Sequence, residues 1–437
     1  MRTFAGRMRG SLVRTLSDAS AREVALWWLL ALALCVRLAV IAGTIGLDTP
    51  AALEPAADSR IHIALVHSLL SGHGFSLAGV PTAITPPLYV YVLAGVYWLT
   101  GDPAAVRILQ AILGALGCIV IYDIGRRMFD ACTGLAAGVL LALYPLPAYL
   151  AGLHLTETLF LCLVLLVLRQ ALEVTERPTA ANAAALGGLV GLAALTRAAF
   201  VACLPFLLPW AAAVWGVRHP TAYRVAALAA LGAALVVLPW TIRNYVVLRA
   251  VVPVQSNGGL VFWAGNNASA DGGLVWPTAR TWTAGPPPDD GLYGWRGLTV
   301  AEDNRRYVRA AAAWIGAHPG AYARLLGRKL VRLYGFTRSA DRRDVHVPLA
   351  LAVVQASFMA LALAGLCLTV PRWRTVSLLL ALIGFTNIVV LLFSGGTRYT
   401  IPMVPSLVLL AAVALVAAAN RALLAAGLDR IPVGSRA

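Results

Sequence analysis

Two acids stand at the edges of long apolar runs, where a carboxylate needs a reason to be. Asp58 lies in Ala57-Asp58-Ser59-Arg60-Ile61-His62, ahead of the apolar pattern Ile61, Ile63, Ala64, Val66, Leu69, Leu70. A carboxylate within hydrogen-bond reach of a hydroxyl can take its proton as a general base. The same position also suits a helix start, where Asp serves as an N-cap. Glu157 follows His154-Leu155-Thr156 at the head of another apolar run. An ionisable group just inside an apolar zone is costly and by default marks function. A glutamate there also favours the positive end of a helix. For each acid the sequence leaves both readings open.

Four arginines, Arg107, Arg197, Arg243 and Arg398, fall near the ends of apolar runs on the same side as the acids. Guanidinium groups grip phosphate through paired hydrogen bonds. Taken singly, each could instead snorkel to lipid headgroups. Arg197 stands out because it interrupts the apolar run from Leu192 to Pro205. Arg243-Asn244 follows Pro239-Trp240, and Arg398-Tyr399 precedes Pro402 and Pro405. Prolines there free backbone groups near a site. His62, His154, Asn244 and Asn257 are further candidates for substrate contacts. The spacings of His62, His67, His73 and His154 match no strong zinc pattern. No metal ligands are assigned, no cofactor is identified, and the help of a divalent ion stays open but without support. Asn267-Ala268-Ser269 fits a glycosylation sequon that also arises by chance. Gly187, Gly188 and Gly191 read as close helix packing rather than a phosphate loop.

The elements that must position these residues are membrane helices. The chain has 437 residues, of which 60% are hydrophobic and 12% charged. A soluble domain is about half apolar and about a quarter charged. Apolar runs of roughly 20 residues recur throughout, and such runs must be helical to satisfy their backbones in lipid. Candidate spans cover 24–47, 104–124, 133–151, 155–172, 182–197, 199–216, 224–247, 347–370, 374–393 and 398–420. The first run is too long for a cleaved signal peptide. The stretch Leu88 to Thr100 is too short to cross comfortably and is expected to lie flat on the outer surface. With it flat, Arg126/Arg127, Arg169/Arg177, Arg218/Arg224 and Arg372/Arg374 all face the cytoplasm. So do the tails bearing Arg2, Arg7, Arg9, Arg14 and Arg22, and Arg421, Arg430 and Arg436, as the positive-inside rule requires. Asp58 and Glu157, about 100 residues apart, then share the outer side.

The net charge of +16 follows from those short basic connections and gives no reason to expect nucleic acid. Cys35, Cys118, Cys132, Cys162, Cys203 and Cys367 all lie in or beside apolar runs, which argues against a disulfide framework. The expected organisation is an all-α polytopic membrane module over 1–247, an outer loop subdomain over 248–346, and C-terminal helices with a tail over 347–437. The loop opens with turn chemistry at Asn257-Gly258-Gly259, Asn266-Asn267 and Pro286-Pro287-Pro288. It closes with helical patterns at about Val300–Ala317 and Pro319–Phe336. The second carries Arg324, Arg328, Lys329 and Arg332 beside leucines, a pattern suited to a lipid interface.

With these residues assembled, the chain resembles the bacterial branch of the protein O-mannosyltransferase and aminoarabinose lipid A transferase superfamily, glycosyltransferase family 39. The resemblance rests on Asp58 with Leu69-Leu70-Ser71-Gly72-His73-Gly74-Phe75, and on Pro86-Pro87-Leu88-Tyr89. It extends through Val106-Arg107-Ile108-Leu109-Gln110, Gly125-Arg126-Arg127-Met128-Phe129 and Thr156-Glu157. Further on come Gly191 to Arg197, Pro239-Trp240-Thr241-Ile242-Arg243-Asn244-Tyr245, and Arg398-Tyr399 with Pro402 and Pro405. The resemblance implies a GT-C-like fold of about ten membrane helices. It also implies an inverting transfer of sugar from a polyprenyl-phosphate donor to an acceptor outside the plasma membrane. That acceptor would be an envelope glycan, lipid or protein. Asp58 would be the base and Glu157 the second acid. Arg107, Arg197, Arg243 and Arg398, with Tyr399, would hold the donor phosphate. Ser59 departs from the Asp-Glu pair of eukaryotic members, and His62 stands where many relatives carry an aromatic residue. Two rival functions are a lipid-linked saccharide flippase and a non-catalytic assembly scaffold. A flippase predicts polar groups along the mid-bilayer path, whereas here the charges gather at one face.

Overall fold

The computed structural model of the chain describes residues 19–50, 53, 54, 56–277, 281, 299–335 and 349–426. Arg2, Arg7, Arg9, Arg14, Pro286, Pro287, Pro288, Arg430 and Arg436 lie outside the described residues. The chain opens with α1 (Ala19–Thr44), a loop, and α2 (Ala57–Leu70). A two-stranded hairpin follows, β1 (Ser76–Leu77) and β2 (Val80–Pro81), pairing Ser76 with Pro81 and Leu77 with Val80. Its tight turn uses Ala78 and Gly79, both at positive φ, as such turns require. Next come α3 (Pro87–Thr100), α4 (Pro103–Met128), α5 (Ala131–Leu143), α6 (Pro145–Leu150), α7 (Glu157–Glu176) and α8 (Ala180–Ala194). A 3-10 segment (Ala198–Cys203) leads into α9 (Leu204–Trp215), followed by α10 (Pro220–Leu248). The long loop contributes α11 (Gly258–Ala264), α12 (Val300–Ala317) and α13 (Pro319–Leu333). The last helices are α14 (Leu349–Thr369), α15 (Trp373–Leu392) and, after a 3-10 segment (Thr397–Met403), α16 (Val404–Ala425).

Each apolar run expected to span contains a helix, and seven stretches among the described residues are long and apolar enough to cross a membrane. Two of the ten expected spans fall short of that length, at Ala131–Leu143 and Ala180–Ala194. The run 133–151 is not one helix, because Pro145 follows Tyr144, which turns extended at φ −70 and ψ 115. A residue before proline is pushed out of the helical region, so α5 ends and α6 starts afresh. Residues 88–100 form the expected short helix, and its Tyr89, Val90 and Leu93 are buried.

The main apolar core joins α1, α4, α5, α7, α8, α9, α15 and α16. The α8–α10 contact is a backbone approach. A Cβ on Gly187 would overlap the Ala229 carbonyl, and one on Gly232 would overlap that of Ala184. Small residues permit such contact between membrane helices, as the glycine pattern suggests. A second core, with Leu65, Phe75, Tyr89 and Trp240, sits under α2 and α3.

Two joints at helix ends set the scene for the site. At the exit of α10, Arg243 Nη1 and Nη2 donate to the Thr82 and Phe75 carbonyls at 2.7 and 2.9 Å. Asn244 donates to Val252 O at 2.9 Å, and Trp240 to Val254 O at 2.8 Å. These bonds lock the hairpin onto α10. At the exit of α15, helix-end carbonyls need outside donors. Lys329 Nζ supplies one to Leu391 at 2.9 Å, and Asn266 Nδ2 supplies one to Leu392 at 2.8 Å. Gly395 then passes so close to Lys329 that a Cβ would overlap its carbonyl. The segment carrying Arg398 starts from this braced end.

Candidate active site

Asp58 is the second residue of α2. The N-cap position is Ala56, which makes no side-chain cap, so the Asp58 carboxylate is not spent on capping. Its Oδ2 accepts from Arg398 Nη2 at 2.8 Å, and its side chain is 44% exposed. The Arg398 guanidinium holds the Asp58 carboxyl below its ordinary range, against the opposing effect of burial. Arg398 is delivered by the 3-10 segment that precedes α16.

Glu157 begins α7 and is 3% exposed. Its Oε1 accepts from Arg197 Nη1 at 3.2 Å, and its Oε2 from Thr156 Oγ1 at 3.2 Å. Arg197 sits where α8 has ended and the backbone turns extended before the 3-10 segment. Its guanidinium also lies over the rings of Phe160 at 5.6 Å and Tyr399 at 5.4 Å. Arg398 lies over the same Tyr399 ring at 5.3 Å, within the range of cation–π attraction. Asp58, Arg398, Tyr399, Arg197 and Glu157 therefore form one continuous chain of contacts, drawn from four separate stretches of sequence.

His62 stands one turn after Asp58. Its Nδ1 lies 2.9 Å from the His154 carbonyl. A carbonyl only accepts, so Nδ1 carries the proton. Nε2, 3.4 Å from Thr85 Oγ1, is left as an acceptor. Burial pushes the His62 pKa below its ordinary value, which keeps the ring neutral. The ring meets Tyr89 edge-on at 5.2 Å.

The convergence expected of four arginines is corrected to two. Arg107 is fully buried and its donors are occupied. It donates to Gly152 O at 2.8 Å, Leu47 O at 2.5 Å, Thr49 O at 2.6 Å and Glu54 Oε1 at 2.7 Å. Arg243 is committed to the hairpin, and buried Asn244 to the chain after α10. Asn257 accepts from Gln255 Nε2 at 2.5 Å and stands at the head of α11 rather than in the cluster. His154 is fully buried against Glu54, behind the cluster. These residues share a level along the helices, but their side chains point toward loops that need fastening.

Glu54 is the functional candidate that the sequence reading missed. One signal was available. An arginine inside an apolar run needs a counter-charge, and Glu54 is among only 19 acids in the chain. Burial alone would raise the Glu54 pKa, but hydrogen bonds and charge at His154 hold it below the ordinary carboxylate value. Among the described residues, no three His, Cys, Asp or Glu side chains are placed to hold a metal ion. The Asp58 and Glu157 carboxylates each face a guanidinium group, a donor set suited to an anion rather than a cation.

Residues 85–242 match the family model described as dolichyl-phosphate-mannose-protein mannosyltransferase. Glu157 and Arg197 fall inside that stretch, and Asp58 and Arg398 outside it. The oligosaccharyltransferase of Archaeoglobus fulgidus, tethered to an acceptor peptide, is 14% identical at a TM-score of 0.53, over 93% of this chain and 52% of its own. The chain has the GT-C fold. The same archaeal enzyme, AglB, in complex with an inhibitory peptide and a dolichol-phosphate, matches at 15% identity and a TM-score of 0.50, over 92% and 51% of the two chains. ArnT from Cupriavidus metallidurans bound to undecaprenyl phosphate is 17% identical, over 94% and 80%, with a TM-score of 0.43. The chain spans about half the length of the oligosaccharyltransferase chains it matches. No curated protein matches it by sequence. The family model matches the motifs between residues 85 and 242, and the long apolar helices make the protein a multi-pass membrane protein.

Proposed function

We propose that the chain transfers a sugar from a polyprenyl-phosphate donor to a hydroxyl acceptor on the outer side of the plasma membrane, with inversion. One observation carries this reading. A half-exposed carboxylate, Asp58, shares a site with two guanidinium groups, Arg398 and Arg197, both over the ring of Tyr399. A base next to an anion clamp is what such a transfer needs. Dolichol-phosphate in complex with AglB supports a lipid phosphate as the carrier.

In this mechanism the acceptor hydroxyl gives its proton to Asp58 as its oxygen attacks the anomeric carbon. The bond from that carbon to the phosphate oxygen breaks, and the electron pair leaves with the lipid phosphate. The phosphate gains one negative charge, and cationic donors stabilise it as it forms. Arg398 first pairs with Asp58 and turns toward the donor phosphate when it arrives, freeing the base. Glu157, almost wholly buried, holds Arg197 in place. Tyr399 keeps the two guanidinium planes near one another. N- and C-termini are assigned to the cytoplasm, and the acceptor is an envelope glycan, lipid or protein.

The test is transfer from polyprenyl-phosphate sugars by the membrane-embedded full chain. Asp58→Asn is expected to lose about 100-fold or more in kcat, the usual contribution of a positioned base. Wild-type turnover in that variant rules out Asp58 as base. Labelling of introduced thiols checks the topology, and it must place positions 58 and 157 on the same outer face.

A further inference from the structure

Glu54 has no assigned role, yet it is the point where the two acidic segments meet. It precedes Asp58 by four residues, and His154 precedes Glu157 by three. Glu54 Oε1 accepts from Arg107 Nη2 at 2.7 Å and from His154 Nδ1 at 2.6 Å, while Oε2 accepts from the His154 backbone N–H at 2.9 Å. All three side chains are fully buried. Arg107 adds bonds to Leu47 and Thr49 on the strand of chain before Asp58, and to Gly152 on the chain before Glu157. We propose that Glu54, clamped by Arg107 and His154, is a positioning residue that fixes the Asp58 and Glu157 segments relative to one another.

The clamp reaches the site through a single residue. The His154 N–H is held by Glu54, and the His154 carbonyl receives the His62 Nδ1 proton at 2.9 Å. With the backbone N–H and both ring nitrogens of His154 bound, little freedom is left to turn its carbonyl. His62 is thereby held in one tautomer, with Nε2 bare toward Thr85 and the ring one turn from Asp58. Tyr97 hydroxyl, 3.3 Å from His154 Nε2, closes the remaining ring position, so His154 has no free orientation. Glu54 itself has no contact with Asp58, Arg398, Arg197 or Glu157 in this arrangement. It acts through the backbone of both segments.

The proposal rests on the transferase reading for its kinetic arm, and a second arm is independent of it. In nanodiscs carrying the full chain, Glu54→Gln is expected to lower kcat by about 100-fold, the scale of a misplacement on the order of 1 Å. Binding of undecaprenyl phosphate, used as the probe, should change by less than about twofold, because the arginine clamp is untouched. Glu54→Asp keeps the charge against Arg107 but shortens the reach to His154, and should fall between the two. The independent arm is nitrogen NMR of histidine. Wild-type His62 should show one neutral form protonated at Nδ1, and Glu54→Gln should show mixed tautomers. Folded variants with wild-type kcat and a single His62 tautomer overturn the proposal. So does a loss that falls on lipid-phosphate binding rather than kcat. Failure of both variants to fold makes Glu54 a stability residue only, and also overturns it. A wild type that transfers no sugar while the tautomer shift appears sinks the transferase reading and leaves the clamp standing.

Discussion

Arg398→Gln removes the cation that faces Asp58 and leaves the carboxylate in place. Two consequences follow from the 2.8 Å pair. The first concerns pH. An opposite charge this close favours the ionised carboxylate. The pair is 30% and 44% exposed, so solvent screens part of that attraction. A carboxyl held below its ordinary 3.8 stays ionised to lower pH, and the base is lost only as pH falls through that depressed value. Without Arg398 the acidic limb of the kcat/KM profile must move up, because the largest influence lowering the Asp58 pKa is gone while burial still raises it. The same sign applies to stability. The pair contributes above the unfolded pKa and its contribution vanishes as pH falls through the folded one. The second consequence concerns rate. Losing one preorganised donor to a developing anion costs about 100- to 1000-fold, and partial exposure again favours about 100-fold. The assay is kcat/KM against pH, from acid to neutral, for wild type and variant in nanodiscs with a polyprenyl-phosphate sugar. An acidic limb that stays put, together with a rate loss under about threefold, would refute both the pairing and the phosphate role.

Arg107→Leu should reduce folded yield rather than donor affinity, since it strands a buried carboxylate and breaks three loop contacts. Breaking a buried pair costs about 3 to 5 kcal/mol, readable as a lower unfolding temperature, and any folded fraction should bind undecaprenyl phosphate normally. Lys329 is the one lysine in the sequence. Burial pulls its pKa from 10.5 down to about 8. Between those values the unfolded chain keeps a proton that the folded chain has lost, so stability should rise with pH across that window, by roughly 3 kcal/mol at most. Thermal unfolding of Lys329→Met should lack that rise, and an identical slope in the variant rules out the buried amine as its cause.

Hydrophobic periodicity located the helices because lipid leaves a backbone no other way to satisfy itself. The helix boundaries in the outer loop were equally legible: Thr299 and Glu302 form the reciprocal cap that opens α12. The break at Tyr144 was readable in principle from Pro145 but was outweighed by the continuous apolar run. The acids and two of the arginines were legible from their unfavourable positions. Glu54 was not, because a lone glutamate beside a proline in a loop gives no sign of being buried.

Composition and period alone determined that this chain threads a membrane as helices, with ionisable side chains kept to the helix ends. Both follow from local properties, the cost of unpaired peptide groups and of charge in hydrocarbon. Which arginines face the acids was settled only by packing. Arg107 and Arg398 both fall at the edge of an apolar run, yet the first points at Leu47 and Glu54 and the second at Asp58. That choice depends on side-chain direction and on segments that meet across more than 50 residues, and neither is encoded in any local window.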